Sequence, residues 1–122
     1  GRELRWTTRV SAMQLTGADG APAAEMYYTA YLAEADAQAT PRPLTFVFNG
    51  GPGSSSMWLH LGLLGPRRVL VDSEARADDG APPYRVVDNP DSLLAVTDLV
   101  FIDPIGTGWS RVIGAGKTAD HW

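Results

Sequence analysis

A chain of 122 residues, 44% hydrophobic and 20% charged, fits at most one soluble globular domain and excludes an intrinsically disordered class. A net charge of −4 argues against nucleic acid or an anionic membrane as the partner. The absence of cysteine excludes disulfides, zinc–thiolate sites and cysteine nucleophiles, and no apolar run approaches the ~20 residues of a membrane span.

In chain order, the opening Gly1-Arg2-Glu3-Leu4-Arg5 has no initiator Met and no apolar core of a signal peptide. Residues 3–15 alternate imperfectly between apolar and polar, with Thr7, Thr8 and Val10 favouring a strand. Gly17-Ala18-Asp19-Gly20 is a turn cluster, and residues 24–32, with Tyr27, Tyr28, Thr29 and Tyr31, predict the antiparallel return strand. Residues 34–43 read as a polar connection. The apolar run 44–48 ends at a glycine turn, as a strand buried on both faces would. Residues 55–64 predict a helix, capped by Ser54 or Ser55 and stopped by Gly65-Pro66.

Short strands are predicted over 67–71 and 84–87, separated by an exposed, charged loop over 72–83. Residues 99–102 predict a strand that ends at Asp103-Pro104-Ile105-Gly106-Thr107-Gly108. Two apolar strands therefore each feed a Gly/Pro loop. Ligand sites in open α/β sheets lie outside the carboxyl ends of strands, so the pattern predicts α/β architecture with both loops on one rim.

The loop Asn49-Gly50-Gly51-Pro52-Gly53-Ser54-Ser55-Ser56 carries most of the chemistry. Glycines admit close backbone approach, proline stiffens the loop, and hydroxyls with a helix start add donors. Between a buried strand and a helix, these residue types suit an oxyanion hole, where backbone N–H groups meet a developing negative charge. The same composition also serves as a plain structural turn. Other motifs fall away. Gly106-Thr107-Gly108 fails the dinucleotide pattern at Arg111, and Gly116-Lys117-Thr118 fails the P-loop pattern at the same residue. Ser55 and Ser110 lack the second glycine of G-x-S-x-G. His60 reads as a packed or surface residue of the helix, His121 lies near the end, and the acidic stretch 72–79 reads as a solvated loop. No metal or organic cofactor is called for. Read from these residues, the chain offers an oxyanion hole without its own nucleophile, base or orienting acid.

Together the two loops resemble the serine carboxypeptidase family, an α/β-hydrolase lineage. Asn49 to Ser56 matches its N-G-G-P-G-[CS]-S-S. Some fifty residues later, Phe101-Ile102-Asp103-Pro104-Ile105-Gly106-Thr107-Gly108-Trp109-Ser110 approximates its F-[IL]-D-x-P-x-G-x-G-[FYW]-S in the same order, with Asp103 and Pro104 adjacent. Leu64-Gly65-Pro66-Arg67-Arg68-Val69 and Asn89-Pro90-Asp91-Ser92-Leu93 resemble its bacterial branch. The resemblance implies an α/β-hydrolase fold, with residues 1–122 as the N-terminal part of a single domain and the strand pair leading into the central sheet. It implies that Gly51 N–H is an oxyanion donor and that Asn49 and Gly50 bind the terminal carboxylate of a peptide substrate. It also implies a secreted or periplasmic location. Leu63 stands where members that read the carboxylate through a protonated Glu carry it, and Ser54 replaces a disulfide cysteine of many eukaryotic members. The family's nucleophile motif, G-E-S-Y-[AG]-G, and its Asp and His lie downstream of the second loop. The remaining C-terminal part, continuous or as a cleaved second chain, is therefore an expected partner. An acyltransferase, esterase or lyase on the same fold, and a non-catalytic peptide-binding fragment, are the competing readings.

Overall fold

The computed structural model describes residues 3–34, 39–50, 53–71 and 82–121. Strands β1 (Trp6–Thr16) and β2 (Pro22–Ala33) form the predicted antiparallel pair, in unbroken register from Trp6 opposite Ala33 to Leu15 opposite Ala24. Gly17 N–H donating to Ala21 O (2.8 Å) and Ala21 N–H donating to Asp19 Oδ1 (3.0 Å) close the turn between them. β2 reaches beyond its predicted segment at both ends, because a ladder once begun continues wherever backbone partners face each other, whereas β1 starts three residues later than predicted and ends one later.

β2 is the spine of the sheet. Its second edge pairs antiparallel with β6 (Asp98–Ile102), which in turn pairs in parallel with β3 (Leu44–Val47), giving the order β1-β2-β6-β3. Further along the same β2 edge lies β7 (Arg111–Val112), two residues long and too short to show a periodicity in sequence. The Arg111 guanidinium stands 2.7 Å from the Glu25 carboxylate directly across that pair. The result is a mixed sheet with few helices, compatible with α/β architecture.

The parallel β3–β6 pair requires a crossover, and the crossover carries the helix. It is shorter and wider than predicted over 55–64. An α-helical turn, α1 (Met57–Leu59), passes into a π-helical turn over His60–Leu64, closed by Gly65 N–H donating to His60 O at 3.0 Å. Neither Ser54 nor Ser55 caps it. Ser56 holds the N-cap position with helical φ and ψ, and its hydroxyl points elsewhere. The strands predicted over 67–71 and 84–87 contract to β4 (Arg67–Val69) and β5 (Val86–Asp88), which pair in a separate two-stranded sheet. Most of the loop between them, residues 72–81 with the acidic stretch, lies outside the described residues.

Core packing is one-sided. Val47, Leu94, Leu99 and Phe101 form a buried cluster, with Tyr31, Leu59 and Leu64 packed against it. Phe101 is 1% exposed, and such a ring contributes roughly 2–3 kcal/mol by burial. Register puts Phe46, Val100 and Ala30 on the opposite face. There the expectation of a strand buried on both faces fails: Leu44, Phe46 and Phe48 are 51%, 57% and 61% exposed. Their apolar character is that of a covered strand, yet these three stand open while Ala30 on the same face of the sheet is 5% exposed. Among the described residues no helix is long and apolar enough to cross a membrane.

Candidate active-site rim

Because β3 and β6 are parallel neighbours, the loops that follow them leave the sheet on the same edge. Loop 103–110 is an excursion from one β2 edge and back. Tyr28 faces Ile102 on its near side, and Glu25 faces Arg111 on its far side. The gap between is filled by Asp103 N–H donating to Tyr27 O (3.1 Å) and Tyr27 N–H donating to Ser110 Oγ (2.8 Å). The Ser110 hydroxyl donates in turn to Asp103 O at 2.7 Å. With both lone-pair and proton engaged and the residue buried, Ser110 is a structural crosslink, in keeping with its weak claim as a nucleophile. Gly106 N–H to Ser110 O (3.0 Å) and Thr107 Oγ1 to Pro104 O (2.8 Å) tighten the loop further.

Loop 49–56 is held differently. The Asn49 amide Nδ2 donates to Ser54 Oγ at 3.1 Å, and Gly53 turns the chain at φ +97°, a conformation that favours glycine. An amide nitrogen carries two N–H donors, so this contact does not exhaust Asn49. Gly50 is exposed, and a Cβ there would meet nothing within 4 Å. Gly51, the expected oxyanion donor, and Pro52 lie outside the described residues. Leu63 is exposed on the π-helical turn.

The two loops are joined by one carboxylate. Asp103 Oδ1 accepts from both Ser56 N–H (2.8 Å) and Ser56 Oγ–H (2.9 Å). Gly108, at φ +53°, leaves room for it, since a Cβ at that position would lie 2.0 Å from Asp103 Oδ2. The sequence motif contains Asp103 but assigns it no role. The available signal was an acidic residue ending a buried strand opposite a loop rich in N–H and O–H donors.

Under this junction lies a cavity of about 290 Å³, lined among others by Tyr27, Ser55, Ser56, His60, Asp103 and Trp109. His60 forms part of its floor, stacked on Phe101 at 4.3 Å and hydrogen-bonded through Nε2 to Tyr31 Oη at 2.6 Å. Burial holds the imidazole below its ordinary pKa, and the nearby Asp103 carboxylate partly opposes this. Burial also pushes the Tyr31 phenol up. A neutral imidazole and a protonated phenol share this bond, with its direction set by the imidazole tautomer. His60 is thus a packed residue, as its sequence surroundings suggest. Among the described residues no group of three His, Cys, Asp or Glu is placed to hold a metal ion.

Comparison with known proteins gives this rim its context. A family model described as serine carboxypeptidase matches residues 12–118, which include both loops. The chain is 38% identical over 99 residues to the pheromone-processing carboxypeptidase KEX1 of Yarrowia lipolytica, an alignment covering 75% of the chain and 14% of that relative. The chain therefore spans a small fraction of the curated relative's length. Both matches, and the placement of both family loops on one rim, lead to a single conclusion: the chain belongs to the serine carboxypeptidase family.

Proposed function

We propose that this chain supplies the oxyanion-hole loop and the substrate-carboxylate contacts of a serine carboxypeptidase built on an α/β-hydrolase fold. A serine elsewhere in the complete protein attacks the last peptide carbonyl. Gly51 N–H then stabilises the tetrahedral oxyanion, the C-terminal residue leaves, and water hydrolyses the acyl-enzyme. Asn49 and Gly50 hold the free carboxylate, an uncharged amide and a backbone N–H gripping it without a titrating group. The observation that carries the reading is the shared rim: the glycine loop leaves the sheet beside the second family loop and is tied to it through Ser56 and Asp103. Export from the cytoplasm belongs to the same reading.

Exposed Leu63 at the position of the family's carboxylate-reading Glu favours a second reading, an esterase or acyltransferase that does not require a free carboxylate. Two measurements on the complete protein separate them. Labelling by a fluorophosphonate probe tests for an activated serine. Hydrolysis of an N-blocked dipeptide against its C-terminal amide tests the carboxylate grip. The carboxypeptidase reading expects labelling and a strong preference for the free acid; equal rates on both substrates would overturn it.

A further inference from the structure

We infer that Asp103 is a positioning residue for the oxyanion loop: its carboxylate fixes the C-terminal end of loop 49–56 against the rigid loop 103–110, and so sets where the loop's N–H groups point. The inference rests on the proposed carboxypeptidase reading and goes one step beyond it.

Three observations converge on it. Asp103 Oδ1 takes both hydrogen bonds that Ser56 can donate, at 2.8 and 2.9 Å, across 47 residues of sequence. The donor end is buried, with Ser56 4% exposed, which limits the competition of water for these bonds. The acceptor end is immobilised. The Asp103 backbone N–H donates to Tyr27 O, its carbonyl accepts from Ser110 Oγ, and Gly108 packs against Oδ2. The flanking loop, by contrast, is closed by Asn49–Ser54 alone among the hydrogen bonds described within it. An oxyanion donor must be aimed within a fraction of an ångström, and a displacement of about 1 Å can cost on the order of 10²-fold in rate. The described part of the loop is held by β3 at one end and at Ser56 by one carboxylate oxygen and the start of α1, so it is the carboxylate that ties the loop's aim to loop 103–110.

The role differs from a purely structural one in its kinetic signature. With an ester substrate that has no free carboxylate, Asp103→Ala in the complete enzyme is expected to lower kcat roughly 30- to 100-fold while KM changes less than about threefold. Asp103→Asn keeps an acceptor oxygen for Ser56 and is expected to recover kcat to within about fivefold of wild type. Ser56→Ala, which leaves the backbone donor in place, is expected to lower kcat by roughly three- to tenfold and to add nothing in the Asp103→Ala background. Amide hydrogen exchange at Ser56 is expected to accelerate at least about tenfold in Asp103→Ala. A kcat within about threefold of wild type in Asp103→Ala, or losses that multiply independently in the double variant, would overturn the inference. If Asp103→Ala does not fold, Ser56→Ala decides alone, and an unchanged kcat there overturns it. A wild-type protein that takes no fluorophosphonate label and cleaves no substrate would defeat the carboxypeptidase reading instead. In that event Ser56 exchange still reports whether Asp103 fixes the loop, with unchanged exchange overturning it.

Discussion

Loops 49–56 and 103–110 are both glycine-rich, both follow an apolar strand and both sit on the same rim, yet they are built for opposite ends. Loop 103–110 runs from β6 to β7 along one edge of β2, buries Thr107 and Ser110, and spends its polar atoms on itself, on Tyr27 and, through Asp103, on Ser56. Loop 49–56 leaves β3 and does not return to it, keeps Gly50 exposed, and is held through Asn49, Ser54 and Ser56. A loop whose donors are satisfied internally is scaffold. One that keeps Gly50 exposed can offer that residue's N–H to a ligand.

Perturbing the scaffold loop is the strongest way to break this contrast. Gly108→Val would force a β-branched residue into φ +53° and drive its Cβ against the Asp103 carboxylate. The expected loss is about 3 kcal/mol of stability, read by denaturant unfolding of the complete protein. An effect below about 1 kcal/mol would mean that loop 103–110 can relax and is not the rigid partner described. Ser110→Ala should follow at about 2 kcal/mol, because it leaves the half-buried Tyr27 N–H without its acceptor as well as removing a buried hydroxyl.

The presenting loop should respond in catalysis and hardly at all in stability. Asn49→Ala is expected to raise KM for free-acid peptides about tenfold, to leave KM for esters unchanged, and to shift unfolding by less than about 1 kcal/mol. Parallel KM changes for both substrate types would remove Asn49 from the carboxylate site. The smallest effect is that of His60. Its folded-state pKa lies below the ordinary value of 6.5, so on acidification the unfolded chain takes up the proton first. Stability should hold above pH about 6.5 and decline as the pH falls from there through the lowered folded value. His60→Gln should flatten that decline, and an unchanged slope would assign the acid sensitivity to other groups.

How much of this was legible in the residues follows from the range of each interaction. The alternation of Thr7, Thr8 and Val10, the tyrosines of β2 and the apolar runs 44–48 and 99–102 are local signals, and each produced a strand within about one to three residues of the predicted bounds. The glycine loop and its chemistry were legible for the same reason, since backbone freedom is a property of the residue itself. Tertiary structure decided what depends on partners distant in sequence. It shortened α1 and moved its N-cap to Ser56, whose hydroxyl Asp103 claims. It made a strand of Arg111–Val112 by offering them a free β2 edge, and gave Ser110, which lacks the second glycine of a nucleophile motif, the role of a crosslink. It also left Phe46 and Phe48 exposed, because burial belongs to the layers around a strand rather than to the strand's own apolar residues.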